Sequence, residues 1–307
     1  MTTTMDRPAV PESRRRSRHP AAIVVGIVAG AILAAAWSGQ LVDDRIGMNV
    51  ASGVLGHDAD STSIASLVAG TLFAFVSGFA GTLTACNIAV FGALPTVAGA
   101  PAGRGSRVRA ALRGLGWLSL GLVGVAAVYG FVAVLVGTRL PQLSTATAGD
   151  HMPVRLFQSM VVFGVIGVAF GYLGLAALGA VPDPFAGRPR ARLITLGGLI
   201  AGFLVGRPYP LFFKLLGYAV HSHDPFYGAL VLALQSVGNV VIMGLLAVLL
   251  AAGTGARASS WLAQPRRSAL VAGVALILLA TFLILYWDIR LPANFGYGWF
   301  PTMPWNH

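Results

Sequence analysis

Seven apolar runs, each near or above the length needed to cross a lipid bilayer, punctuate this 307-residue chain and leave little sequence for any other kind of core. They lie near residues 21–37, 64–98, 110–137, 157–181, 193–220, 225–252 and 268–287. A helix crossing a hydrocarbon core about 30 Å thick takes roughly 20 residues. Hydrophobic residues make up 56% of the chain, charged residues only 10%, and the mean hydropathy is +0.77. A soluble domain covers its surface with about 25% charged residues, so lipid must solvate most of this one. The sequence predicts an all-α polytopic membrane protein with about seven transmembrane helices.

The formal charge of +11 would suit a nucleic-acid partner, but its distribution excludes one. The charge is almost all arginine, and it sits in short segments between apolar runs, as topology determinants do. Residues 1–20 form a basic polar segment with Arg7, Arg14, Arg15, Arg16 and Arg18, and residues 21–42 then read as an extra transmembrane helix. A cleaved signal would need a shorter apolar core and a small-residue cleavage site. The run ends instead in Trp37-Ser38-Gly39-Gln40. With the N-terminus in the cytoplasm, one side of the membrane gathers those five arginines with Arg104, Arg107, Arg109, Arg113, Arg188, Arg190, Arg192, Arg257, Arg266 and Arg267. The other side keeps Arg45, Arg139, Arg155 and Arg290, along with Asp43, Asp44, Asp58, Asp60, Asp150, Asp224 and Asp288. Short loops biased this way orient a chain. The expectation is a bacterial cytoplasmic membrane protein, multi-pass, with its N-terminus inside and its C-terminus outside.

Spans two to seven divide into two sets of three, 64–181 and 193–288. An odd number of helices per set makes the second set an inverted copy of the first. Each set opens on a span interrupted by Gly or Pro: Ser77-Gly78-Phe79-Ala80-Gly81-Thr82-Leu83-Thr84-Ala85-Cys86 in one, Ala201-Gly202-Phe203-Leu204-Val205-Gly206-Arg207-Pro208-Tyr209-Pro210 in the other. Matched broken segments point to a central site in an inverted-repeat membrane protein, although glycines also serve close helix packing. Residues 289–307 close the chain as an extracytoplasmic aromatic tail, with Trp299, Phe300 and Trp305 reading as an interfacial anchor.

The segment from Gly78 to Gly99, with Cys86 in a Gly/Thr-rich break and Pro95 downstream, resembles the first signature of the DsbD/CcdA family. The stretch from Gly202 through Gly206-Arg207-Pro208-Tyr209-Pro210 to Pro225-Phe226-Tyr227-Gly228-Ala229-Leu230 is similar to the second. The resemblance implies a six-helix core of two inverted three-helix repeats over about residues 64–288. It also implies passage of reducing equivalents across the membrane from thioredoxin to extracytoplasmic thiol proteins, often for cytochrome c maturation, through one cysteine in each repeat. Cys86 stands at the first cysteine position, but the second repeat offers Tyr209 or Pro210. With one cysteine in the chain, no internal disulfide and no thiolate zinc site can form.

Several side chains are candidates for chemistry. Cys86, flanked by Asn87, is either a packing residue or a nucleophile able to form a mixed disulfide with a partner thiol; as a soft ligand it would also suit Cu(I). Arg207 and Lys214, the latter the sole lysine, fall two helical turns apart in one apolar span. Intramembrane charges mark functional sites, and with Pro208 and Tyr209 these two would line a site for an anion or a thiolate. Lys214 also suits snorkelling to the outer interface. His221, His223 and Asp224, with His57, Asp58, Asp60, Asp150 and His151, could gather a metal ion from the outer loops, or simply be solvated. Gln235 and Asn239, four apart, could bond across helices. No motif for a soluble cofactor is visible, so no cofactor is expected.

Three functional expectations follow. The first is a CcdA/DsbD-like protein that handles thiols or electrons, with Cys86 as its sole thiol and a thioredoxin-like partner. The second is a transporter of a small anion or soft metal on the same fold. The third is a non-catalytic membrane assembly subunit.

Overall fold

The computed structural model describes residues 19–39, 47–59, 61, 63–81, 104–148, 152–206, 208–253, 264–301 and 303–305. Cys86, Asn87 and Arg207 lie outside the described residues, as do His151 and Asp60. Helices dominate: α1 (Pro20–Ala36), α2 (Met48–Leu55), α3 (Leu67–Ala80), α4 (Arg104–Val136), α5 (Val154–Ala177), α6 (Pro189–Gly206), α7 (Pro210–His221), α8 (Pro225–Gly253) and α9 (Pro265–Leu283). α9 runs on through a π-helical turn, Ile284–Arg290, and a last turn, Leu291–Ala293. A two-stranded ribbon pairs Thr147–Ala148 with Met152–Pro153 before α5.

The sequence sets most of these boundaries by local chemistry. α1, α6, α7, α8 and α9 all open on proline, whose missing N–H is no loss in the first turn of a helix and whose φ is already helical. α3 instead starts at Ser66, whose Oγ accepts from the Ala69 amide at 3.1 Å, and so satisfies one of the free amides of a helix start. Four spans, Gly105–Arg139, Val154–Ala177, Pro225–Leu249 and Pro265–Ala293, are long and apolar enough to cross a membrane, and α1 and α3 are shorter apolar helices. Val128, Leu135, Val165, Val168, Leu245 and Leu249 are exposed along them. Such surfaces point to a lipid environment, because apolar spans of this length would otherwise face water.

Contacts between neighbouring helices fix their relative directions. Gly26 and Gly30 of α1 meet Ile277 and Thr281 of α9, and Gly78 of α3 meets Gln235 of α8 while Leu67 meets Tyr227, so both pairs run parallel. α4 and α6 are parallel too, with Gly121 on Ile194 and Gly198 on Val125. α4 and α8 oppose each other (Gly130 on Gly228, Leu115 on Gly244), as do α5 and α9 (Gly174 on Gly273, Gly164 on Asp288). α5 also opposes α6, with Ser159 at Gly206 and Ile166 at Gly202. Taken together, α1, α4, α6 and α9 point one way and α3, α5 and α8 the other. The arginine-bearing first turns of α4, α6 and α9 therefore share one end of the bundle. Cations at a helix N-terminus oppose the helix dipole by a few tenths of a kcal/mol each, a small term beside that of dragging an arginine through lipid.

Two close helix crossings have the same construction. A Cβ on Gly78 would strike the Gln235 carbonyl, and one on Gly238 would strike the Phe75 carbonyl. Likewise a Cβ on Gly197 would strike the Leu118 carbonyl, and one on Gly121 the Ile194 carbonyl. In each crossing both helices carry the glycine three residues after the carbonyl they present. Lipid-embedded helices gain little from hydrophobicity when they pair, so backbone approach through small residues decides which faces meet. Large side chains fill the remaining space in two clusters. Phe163, Phe170, Leu118, Leu122 and Trp287 centre one among α1, α4, α5, α6 and α9, while Phe212, Leu215, Leu216 and Leu232 centre the other around α7 and α8.

Three segments depart from the sequence reading. The stretch between the first two apolar runs contains α2, which buries Ala51 and ends at Gly56 with φ 74°, a left-handed terminus that glycine adopts without steric penalty. Arg290 and Asp288, assigned to an outer loop, both lie in the helical continuation of α9. Arg290 is buried, and its Nη1 donates to the carbonyls of Ala34 and Trp37 at 2.7 Å each. Trp305 of the aromatic tail donates from Nε1 to the Ala36 carbonyl at 2.9 Å. Arg290 and Trp305 together satisfy carbonyls that the end of α1 leaves without helical partners, so part of the tail binds the bundle rather than only resting at an interface.

Candidate functional site

The interrupted spans supply the best candidate for a central site. α6 ends at Gly206, and α7 starts at Pro210 after Pro208 and Tyr209. Proline at 208 and at 210 withholds two amides from the helical ladder, and the residue before a proline is pushed out of helical geometry. Tyr209 obeys this with φ −101° and ψ 126°. The backbone freed by the break needs partners at this depth. Ser159 of α5 provides one, donating from Oγ to the Gly206 carbonyl at 2.7 Å while also reaching the Arg155 carbonyl at 3.0 Å. The Tyr209 carbonyl accepts from the amides of Phe212 and Phe213.

The end of α3 comes to the same place. A Cβ on Gly81 would lie 3.8 Å from Cε1 of Tyr209, in van der Waals contact with the buried tyrosine ring. The two interruptions singled out in the sequence thus meet in space. They do not end at equal distances from their glycine crossings. α3 stops at Ala80, just past Gly78, whereas α6 continues about two turns beyond Gly197 to Gly206.

Polar side chains are buried on the α3–α8 side of this region. Gln235 donates from Nε2 to Ser77 Oγ at 3.2 Å, and Asn239, fully buried, reaches Met243 Sδ at 3.9 Å. The Gln235 bond joins two helices, as the spacing on α8 suggested. A second polar group, nearer the other end of α4, joins the Tyr129 hydroxyl to Gln142.

Lys214 meets partners from two other segments. Its Nζ donates to the Ala59 carbonyl at 2.6 Å and lies 5.3 Å from the Phe73 ring centre. The sole lysine therefore ties the segment after α2 onto α7 and α3. Pro208 is half-buried beside Tyr209. Asp60, Asp150 and His151 of the outer-loop set lie outside the described residues, and among the described residues no three His, Cys, Asp or Glu side chains gather where they could hold a metal ion. The residues of the turn between α7 and α8 have local surroundings. Asp224 Oδ1 accepts from the amides of Phe226 and Tyr227 at 2.9 and 3.3 Å and caps α8. His221 Nδ1 sits 2.6 Å from the Gly217 carbonyl one turn back, and His223 takes a left-handed φ of 55° in the turn between α7 and α8.

One group near the break was missed in the sequence. Asp288 faces Gly164 of α5, and the same stretch of α5 touches Gly206 through Val162 and Phe163. The apolar run in the sequence ends at Trp287, whereas the helical span continues to Ala293 and takes in the acid that the sequence places with the outer loops. No family model matches this chain, and no curated protein or solved structure matches it either.

Proposed function

We propose that this chain is a seven-span protein of the bacterial cytoplasmic membrane, N-terminus inside, with a 3+3 inverted-repeat core of the CcdA/DsbD kind that handles thiols across the membrane through Cys86. The observation that carries this reading is the meeting of the two helix breaks, Gly81 against Tyr209, because Cys86 follows Gly81 by five residues in the chain. The matching glycine crossings and the alternating helix directions support the repeat, and the arginines at one end of the bundle support the orientation. With one thiol, the chemistry is an exchange with a partner. The Cys86 thiolate attacks a partner disulfide, an S–S bond forms between the two proteins, and the partner's other sulfur leaves as thiolate. A dithiol donor completes the exchange: its first thiolate attacks the Cys86 sulfur and the partner's second sulfur leaves as thiolate, then its second thiol attacks the new mixed disulfide and releases Cys86 reduced, so two electrons pass from the dithiol to the partner disulfide. A thioredoxin-like protein supplies the chemistry of such a partner.

The test is to trap thiols by acid quench and alkylation in native membranes and run a non-reducing gel, with Cys86→Ser as control. A reductant-sensitive adduct that the serine variant lacks is the expected result. A cysteine always reduced, unadducted and dispensable would sink the thiol reading. A second reading, a transporter of a small anion or soft metal, is favoured by the buried polar residues Ser77, Gln235 and Asn239 beside the breaks. Solute uptake into proteoliposomes that survives Cys86→Ser would select it.

A further inference from the structure

The last helix carries a carboxylate that neither reading uses. Asp288 is the one acidic residue in any described helix. It lies in the π-helical turn Ile284–Arg290, inside the apolar span Pro265–Ala293, and faces Gly164 near the middle of α5. A Cβ at 164 would stand 3.0 Å from Oδ1 and 3.2 Å from Oδ2, so the carboxyl occupies the notch that the glycine leaves. Oδ2 is buried and, among the described residues, has no hydrogen-bond partner.

No described countercharge faces it. α5 carries Arg155, whose guanidinium lies 5.5 Å from the Phe213 ring centre, and Tyr172, whose hydroxyl donates to the Pro182 carbonyl. α1 has no titratable side chain from Pro20 to Ala36. On α9 itself, Arg290 turns to the carbonyls of Ala34 and Trp37 and lies over the Tyr286 ring. An ionised carboxylate without a partner in such a setting is expensive, and an ionisable group inside a membrane span is functional by default. π-turns, too, are frequent where helices do chemistry.

We propose that Asp288 is a proton-binding site in the seam between α5 and α9. Uptake places one proton on a carboxyl oxygen and gives the neutral acid, while release restores the carboxylate; no electron moves. The site is linked to the helix break through α5, since Ser159, Val162 and Phe163 contact Gly206 and Gly164 contacts Asp288. Proton occupancy at α9 and the geometry of the break thus share one rigid element, whether the break serves thiol exchange or transport.

The test uses dicyclohexylcarbodiimide, an apolar reagent that adds to protonated carboxylic acids. The carboxyl oxygen bonds to the carbodiimide carbon, and the acid proton passes to nitrogen. The full chain in native membranes is treated with it or with a water-soluble carbodiimide, digested and mapped by mass spectrometry. The apolar reagent is expected to modify residue 288 ahead of Asp58 and Asp224, and the water-soluble one to modify those two and spare 288. Asp288→Glu should keep the adduct and Asp288→Asn should lose it. No adduct at 288, or equal labelling there by both reagents, overturns the proposal. If the variants fail to accumulate, the two-reagent comparison on the wild-type chain decides alone.

Discussion

The crossing of α3 with α8 and that of α6 with α4 share one glycine geometry but differ in what lies between the glycines. Matching the glycines places Ser77 opposite Leu196, Gln235 opposite Leu118 and Asn239 opposite Leu122. One crossing therefore holds a buried hydrogen bond, Gln235 to Ser77, where the other holds two buried leucines. The shared part is what backbone approach in lipid requires, and the unshared part is not needed for approach at all. The difference separates architecture from specialisation, and it puts the specialised residues on the side where α3 ends early and Tyr209 meets Gly81.

The glycines give the hardest blow to this comparison. A methyl at Gly78 or Gly197 meets backbone carbonyl, which no rotamer change relieves. Gly78→Ala and Gly197→Ala should each cost about 3 kcal/mol, the upper part of the usual overpacking range, seen as matching losses of melting temperature in detergent. Unequal losses would break the equivalence of the two crossings.

Arg290→Ala comes next, since it leaves two carbonyls of the α1 end without their donor at about 1–3 kcal/mol each. It should loosen α1, read as faster proteolysis near Trp37, while melting of the two crossings in the core stays the same. Loss of the whole fold would show that α1 is not an addition to the core but part of it.

Ser159→Ala removes the donor to Gly206 at the second break and should cost about 1 kcal/mol. Its sharper effect falls on function, because Ser159 holds the carbonyl at which α6 breaks. Formation of the Cys86 adduct should drop more than stability does. The smallest effect belongs to the Ser77→Leu, Gln235→Leu pair, which rebuilds the polar crossing in the image of the apolar one. Interhelical hydrogen bonds in membranes average about 0.6 kcal/mol, so the double variant should melt almost as the wild type does while losing activity. Retained activity would return Gln235 to a packing role.

The sequence made legible whatever depends on local chemistry. Pro208 and Pro210 located the second break, and the long apolar runs anticipated helices long and apolar enough to cross a membrane. It left open the groups whose surroundings come from distant residues. Lys214 read as a site residue or an interfacial one until Ala59 and Phe73 were brought to it across the chain. Asp224 read as a metal ligand or a solvated loop residue, and in the structure its carboxylate caps α8.

By itself the sequence determined that most of this chain suits lipid, where its long apolar helices lie and where the prolines break one of them, because hydropathy and proline act on their own neighbourhood. Only the tertiary structure decided which faces meet. Helices in lipid have no polar face to turn outward, so periodicity carries little information about partners, and contact goes to whichever small residues let two backbones approach. That choice set the Gly78 and Gly197 crossings and placed Asp288 in the notch at Gly164.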